Sequence, residues 1–457
     1  MKQDLKNINQ ILQQGIAVHK EGKLEEAETS YKKAIELKSN NMIAHNNLGV
    51  VQYELGKYKE AETSYKKAIE HKPDFAEAYY NLGATQIKTE KYQEAEESYQ
   101  KAIEINPDYA EAYYDLGSML KDQGRLLEAE VNYKKTIELK VDFIVAYNNL
   151  GVIQHELDKL DEAETIFRKA IELNPGFAEA HYNLGLALYE QGKFKEAIEE
   201  FKLNDFKGSK EFLLTCLFKL NEQTLFYEQL DYLIKRGDNN ALIGSLVSRA
   251  EVKFKTNREN LFCKNPLKYV LKTDLTKNCD FETTFIKTIK DNLNNDITSY
   301  KKKQLLLTKG DQTVGNVFFQ GGPAIDEIQK ILRLEIEKYC AHFKDSEEGF
   351  LKNWPNVYNL NGWLINMKSG GSLSAHMHEL GWVSGSVYIN VPPKLKADSG
   401  NLVVCMDDNE NNLEENKKSI DVVTGSLCLF PSSLHHYTIP FESNEERIVL
   451  AFDVIPK

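Results

Sequence analysis

Along the first half of the chain, apolar positions recur in a helical rhythm, two amphipathic segments to a unit, and the unit repeats every 34 residues. "NNLGVVQYELGKYKEAETSYKKAIEHKPDF" (residues 46–75) is followed by "YNLGATQIKTEKYQEAEESYQKAIEINPDY" (residues 80–109). Gly49, Gly83, Gly117, Gly151 and Gly185 fall on this lattice, as do Ala27, Ala61, Ala95, Ala129, Ala163 and Ala197. Small residues at these positions let the two helices of a unit approach closely. Pro73, Pro107 and Pro175 close the second helix, because proline cannot continue the hydrogen-bond ladder; Ser39 and Val141 stand at that position in two other units. The pattern predicts about six helix pairs within residues 1–211. In residues 212–261 the stretches "FLLTCLFKLNEQTLFYEQLDYLIKRG" and "NALIGSLVSRAEVKF" are helical but off the lattice. They read as capping or linker helices, which cover the open apolar end of a solenoid.

From residue 262 to 457 the period changes. "FETTFIKTIKDNLNN" and "AIDEIQKILRLEIEKYCAHF" predict helices. After Trp354 the pattern is short strands broken by turn residues: "GWLINM", "SGSVYINV", "GNLVVCM", "GSLCLF", "HYTIPF" and "RIVLAFDVI". Alternation puts Val387, Ile389 and Val391 on one face of their strand, and Tyr388 and Asn390 on the other. The expected architecture is an all-α repeat superhelix followed by a β-sandwich or barrel with flanking helices.

Composition narrows the function. A net charge of −12 argues against a general nucleic-acid or anionic-membrane binder. No stretch has the apolar length of a signal peptide or a membrane span. The six cysteines are widely spaced with no C-x-x-C pattern, which suits reduced core thiols in a cytoplasmic protein.

Two constellations carry candidate chemistry. Two residues before each lattice glycine stands a polar side chain: Asn47, Asn81, Asp115, Asn149 and Asn183. These residues either sit on an exposed polar helix face or grip a ligand; a side-chain amide both donates and accepts, which suits a peptide group, whereas Asp115 only accepts. The second constellation is histidine. The chain has only ten, and His376 and His378 project to one side of an extended chain, so both can ligate one metal. His435 or His436 near a later strand offers a third ligand. Arg447 opens the final strand, and the turn "FESNEE" would fold the two strands into a hairpin that brings Arg447 beneath the metal. Its forked, permanently charged guanidinium suits a carboxylate anchor.

The repeat landmarks Leu48, Gly49, Ala61, Tyr65, Ala68 and Pro73 resemble the tetratricopeptide repeat. The polar ladder is similar to that of the O-linked N-acetylglucosamine transferase superhelix. That likeness implies a concave groove in which Asn47, Asn81, Asp115, Asn149 and Asn183 hold an extended protein or peptide. Residues 262–457 resemble the 2-oxoglutarate- and Fe(II)-dependent oxygenases, whose fold is a double-stranded β-helix. They resemble more specifically a bacterial branch of that family with H-x-H-x-x-x-W-x-S-G, then F-P-S-x-x-x-H, then E-R-I. The matching residues are His376, His378, Trp382, Ser384, Gly385, Tyr388, Pro392, Phe430, Pro431, Ser432, His436, Glu446 and Arg447, with "QTVGNVF" (Gln312 to Phe318) upstream.

The resemblance implies Fe(II) on His376, His378 and His436, with 2-oxoglutarate held by Arg447 and helped by the Tyr388 hydroxyl. Oxidative decarboxylation would yield succinate and an oxidant that attacks a C–H bond. His378 stands where the usual carboxylate ligand is found, and Glu379 could replace it only through a bulge. His435 alternates away from His436 and reads as structural. The alternative is a non-catalytic repeat scaffold with a degenerate barrel. A repeat-containing glycosyltransferase is disfavoured, since fewer than 250 residues follow the repeats and none forms a glycine-rich phosphate loop.

Overall fold

The structure, a computed structural model, describes residues 2–203, 205–206, 208–256, 258–294, 301–302, 306–313, 316–406 and 414–457. The chain divides into two compact units, Met1–Ser209 and Lys210–Lys457.

The first unit is a helical repeat array. Its helices are α1 (Lys2–Lys20), α2 (Leu24–Leu37), α3 (Met42–Glu54), α4 (Tyr58–His71), α5 (Ala76–Lys88), α6 (Tyr92–Ile105), α7 (Ala110–Asp122), α8 (Leu126–Leu139), α9 (Ile144–Glu156), α10 (Leu160–Leu173), α11 (Ala178–Glu190) and α12 (Phe194–Lys202). The lattice alanines are fully buried, Ala27, Ala61, Ala95, Ala129, Ala163 and Ala197 among them. Why the glycines are needed is plain at Gly151. A Cβ there would lie 2.5 Å from the Phe167 ring, so the aromatic of the second helix seats directly on the backbone of the first. Gly49 with Tyr65 and Gly185 with Phe201 repeat this pairing.

Successive repeats are also tied by a periodic ion-pair ladder. Glu28 bonds Lys57 at 2.7 Å, Glu62 bonds Lys91 at 2.7 Å, Glu96 bonds Arg125 at 2.6 Å, Glu130 bonds Lys159 at 2.7 Å and Glu164 bonds Lys193 at 2.8 Å. Each acid sits on the second helix of one repeat, and its partner precedes the second helix of the next.

The second unit begins with α13 (Ser209–Lys219), α14 (Gln223–Arg236) and α15 (Ala241–Phe254), followed later by α16 (Thr288–Asn294) and α17 (Pro323–His342). Its strands are β1 (Leu271–Asp274), β2 (Lys301–Lys302), β3 (Leu307–Thr313), β4 (Tyr358–His376), β5 (Val383–Asn390), β6 (Leu402–Cys405), β7 (Lys417–Ile420), β8 (Ser426–Pro431), β9 (His435–Thr438) and β10 (Arg447–Pro456). All pair antiparallel in one barrel-like sheet, in the order β1-β8-β5-β10-β4-β9-β6-β7, with β3 joining β4 and β2 joining β3.

The alternation of each strand sorts two cores. Val387, Leu427, Leu429, Leu450 and Phe452 point outward and pack with Ile328, Leu332 and Ile336 of α17. Met367, Tyr388, Cys428, Phe430, Val449 and Ala451 point inward and line the interior. Val387 and Ile389 share the outer core and Tyr388 the inner, as the alternation predicts. Val391 departs from it: β5 ends at Asn390, and Val391 packs against the inner core. All six cysteines are free thiols. No helix among the described residues is long and apolar enough to cross a membrane.

Candidate functional site

β4 is unusually long, 19 residues, and it builds the site. Its first part pairs with β10 from Tyr358 to Met367, and its last part pairs with β9, where His376 faces His436 across the ladder. Along β4, Trp363, Ile365, Met367 and Leu373 all line the interior cavity. A bulge between Leu373 and His376 then shifts the register, so His376 turns inward although strict alternation from Leu373 would turn it outward. His378 follows in the connection to β5. The expected β9–β10 hairpin does not form: β10 and β9 lie end to end along one edge of β4, at Tyr358–Met367 and Leu373–His376, with β3 on the other edge, because β4 is long enough to pair with both. Arg447 therefore reaches the cavity as the partner of Met367.

Three imidazoles converge. One ligand nitrogen each from His376, His378 and His436 lies within 4.8 Å of the others. Glu379 is outside this cluster, and burial pushes its carboxyl up to about 6. The Nδ1–H of His376 donates to the Ser374 carbonyl at 2.8 Å. The Nδ1–H of His378 donates to Asp453 Oδ1 at 2.7 Å. Both rings thus keep Nε2 as a free lone pair. The buried His436 Nδ1 has no hydrogen-bond partner among the described residues. Burial, then the neighbouring His378, pushes His376 down to about 4; burial and both other histidines hold His436 well below its ordinary value. All three rings crowd together, and among the described residues His378 alone of the three has an acid within ion-pair distance.

The same cavity is lined by Tyr388, Thr438, Ser386, Gln312 and Arg447. Arg447 is 1 % exposed. Its Nη1 donates to the Gly400 carbonyl, and its guanidinium stands 5.0 Å over the Tyr388 ring. Its Nε and Nη2 have no partner among the described residues, and neither does the Gln312 Oε1. Burial works against the charge on Arg447, and a buried cation with two unsatisfied donors calls for an anion. Gly400, at φ +71°, leaves the space this contact uses: a Cβ there would lie 2.7 Å from Nη1.

The donor set suits a divalent first-row metal. Three imidazoles on one cavity, two held by hydrogen bonds at the far nitrogen, leave positions open toward the cavity. Fe(II) and a dicarboxylate such as 2-oxoglutarate therefore fit the residues present, the first on the histidines and the second toward Arg447. His435 is buried and belongs to β9 beside His436, with its carbonyl facing Cys405. Asp453 was not singled out by sequence reasoning. The signal was available: it is a lone acid in an apolar strand, six residues after Arg447 and so on the same face. Of the upstream "QTVGNVF" motif, Gln312 lines the cavity, while Val314 and Gly315 lie outside the described residues.

In the repeat unit the polar ladder sits half-buried on the first helix of each pair. Its members bond backward to the preceding repeat. Asn81 Nδ2 donates to Asn46 Oδ1 at 3.2 Å, and Asn183 Nδ2 donates to Asn148 Oδ1 at 3.0 Å. Asn149 donates to the Tyr114 hydroxyl at 3.1 Å, and Asp115 accepts from the Tyr80 hydroxyl at 2.7 Å. Burial raises the Asp115 carboxyl above its ordinary value.

Comparisons with known proteins follow this division. Tetratricopeptide-repeat family models match residues 15–56, 51–89, 76–109, 98–131 and 146–203. Residues 361–453 match the family described as "Putative 2OG-Fe(II) oxygenase", a stretch that holds the three histidines, Arg447 and Asp453. No curated protein matches the chain. Among solved structures, YrrB, described as a TPR protein with an unusual peptide-binding site, is 26 % identical over 38 % of this chain and 89 % of its own, with a TM-score of 0.35. MamA is 34 % identical over 35 % of this chain and 94 % of its own, with a TM-score of 0.34. A MamA fragment from Desulfovibrio magneticus RS-1 is 25 % identical over 38 % and 97 %, with a TM-score of 0.35. The chain belongs to the tetratricopeptide-repeat proteins, and it carries beyond its repeats a domain of the 2OG-Fe(II) oxygenase type.

Proposed function

We propose that the second unit is a 2-oxoglutarate- and Fe(II)-dependent oxygenase, a hydroxylase, whose substrate is a protein or peptide held by the repeats. One observation carries this reading: three convergent imidazoles share a cavity with a buried arginine that has two unpaired donors. His376, His378 and His436 would hold the iron. When bound, the metal and the keto acid supply oxidation by O2 with loss of CO2 and formation of succinate.

The chain's own part is binding, orientation and exclusion of water. Arg447 would bind the far carboxylate through Nε and Nη2, which point to the forked, two-donor mode. Tyr388 backs the guanidinium with its ring face. Ile365, Met367, Leu373, Val449 and Ala451 give the cavity apolar walls that strengthen each charge interaction inside it. Neutral imidazoles keep their lone pairs available to a metal. The repeats would bring a polypeptide to this chemistry at raised effective concentration, as a tethered binding module does.

The test is anaerobic reconstitution of the full chain with Fe(II) and 2-oxoglutarate. One iron per chain and a metal-to-keto-acid charge-transfer band are expected, followed by succinate release when O2 is admitted. Equal iron content in the wild-type chain and a His376→Ala/His436→Ala double variant would overturn the assignment of the metal site. Stimulation of succinate release by the low-mass but not the high-mass fraction of a cell extract would overturn the polypeptide substrate.

A further inference from the structure

We propose that Asp453 is a positioning residue for the His378 imidazole and that it supplies, one residue further out, the negative charge missing from the all-histidine ligand set. The inference rests on the metal-site reading above.

His378 is the one ligand of the three that no strand pairing fixes: His376 ends β4 and faces His436 of β9, whereas His378 lies in the connection beyond. Something else must orient its ring. The ring stands 5.1 Å, nearly edge-on, from Trp363, and its Nδ1–H donates to Asp453 Oδ1 at 2.7 Å. Asp453 is 5 % exposed. The same oxygen accepts from the Ser384 hydroxyl at 2.8 Å, and Ser384 Oγ meets the fully buried Ser432 Oγ at 2.8 Å. With the carboxylate accepting from both His378 and Ser384, Ser384 is left to accept from Ser432. The chain of donors has one consistent direction, and it ends on the carboxylate. That direction fixes the His378 tautomer with its lone pair on Nε2.

The placement follows from strand alternation. Arg447, Val449, Ala451 and Asp453 share the inner face of β10, so the strand that carries the anion anchor also carries this acid. In register Asp453 faces Ser384 of β5. Burying a carboxylate between neutral donors is costly, and an amide of the same shape would fill the same space. The charge itself is therefore the feature to explain. A carboxylate behind a metal-binding imidazole fixes its orientation and raises its basicity. Two histidines and one carboxylate would give a divalent iron one anionic ligand; three histidines with Asp453 behind one of them restore the same total charge through a hydrogen bond.

The experiment uses the full chain without oxygen, with Co(II) as the probe and its visible absorption as the readout, and no turnover is needed. Asp453→Asn is expected to bind Co(II) on the order of 10–100-fold more weakly than wild type. Imidazole nitrogen NMR of the metal-free chain is expected to show His378 as the pure Nδ1–H tautomer in wild type and as a mixture in Asp453→Asn. Ser384→Ala should weaken Co(II) binding in the same direction by about fivefold, the effect of one ordinary hydrogen bond. If Asp453→Asn does not fold, Ser384→Ala carries the test, and unchanged affinity there overturns the proposal. Wild-type Co(II) affinity and tautomer in Asp453→Asn, with binding lost in His436→Ala, would overturn the role of Asp453 and leave the metal site standing. Failure of the wild-type chain to bind Co(II) or Fe(II) would overturn the metal site and this role together.

Discussion

The repeat ladder and the barrel cavity treat their polar groups in opposite ways. In the repeats, ladder residues that look made for a ligand are bonded to other side chains of the neighbouring repeat: Asn81 to Asn46, Asn183 to Asn148, Asp115 to Tyr80. In the barrel, Arg447 keeps two donors, His436 one ring nitrogen and Gln312 one oxygen without a partner among the described residues. A paired polar group stabilises its own fold, whereas a buried unpaired one costs stability until something else completes it. The contrast separates residues that build from residues that wait for a ligand, and it does so without reference to which are polar.

That contrast is easiest to break at Arg447. Arg447→Met should weaken 2-oxoglutarate binding on the order of 100-fold, the usual loss when a buried carboxylate loses a charged partner. Calorimetric titration of the Fe(II)-loaded chain reads this directly. The ligand-free variant should melt no lower than wild type, because an apolar side chain replaces an incompletely satisfied cation. A large fall in its melting temperature would place Arg447 among the residues that build.

In the repeats the largest expected effect is steric. Gly151→Ala should destabilise the first unit by about 1–3 kcal/mol through overpacking against Phe167, less the roughly 1 kcal/mol that alanine gains over glycine in a helix. Denaturant unfolding of the full chain, followed by helical circular dichroism, checks it. Asn81→Ala should cost about 1 kcal/mol, one inter-repeat hydrogen bond. The same measurement applies, and no loss of stability would return Asn81 to the pool of ligand-holding residues. The smallest effect belongs to the ion-pair ladder. Lys91→Ala should change stability by about 0–1 kcal/mol, less at high salt, since the lysine is exposed and the buried Glu62 keeps its second partner, Lys66.

Much of this fold was legible because its signals are local. A period of 34 residues with glycine facing an aromatic needs no distant information, and the alternation in "SVYIN" sorted Val387 and Tyr388 onto opposite cores. What could not be read depends on pairing over long separations. The β9–β10 hairpin was the natural guess from a short turn, yet the two strands pair instead with successive stretches of β4, and only the length of β4 explains why. The bulge that turns His376 inward leaves no composition signal beyond its neighbouring glycines, Gly370 and Gly371. The three histidines were found because i, i+2 spacing survives such a bulge. Asp453 was missed because its partner, His378, lies 75 residues away in sequence.

The central position of β10 also sets the order of events during folding. It lies between β4 and β5, pairing Arg447 with Met367 and Asp453 with Ser384, and both partners precede it by more than sixty residues. Contacts so far apart in sequence form slowly, since the intervening chain must be closed into a loop first. The repeats, whose helix pairs meet within one 34-residue unit, have no such delay. Until β10 inserts, β4 and β5 each present an open edge, and neither the anion anchor nor the acid behind His378 is in place. The nascent protein would thus pass through a stage in which its repeat array is complete while its barrel is still half a sheet.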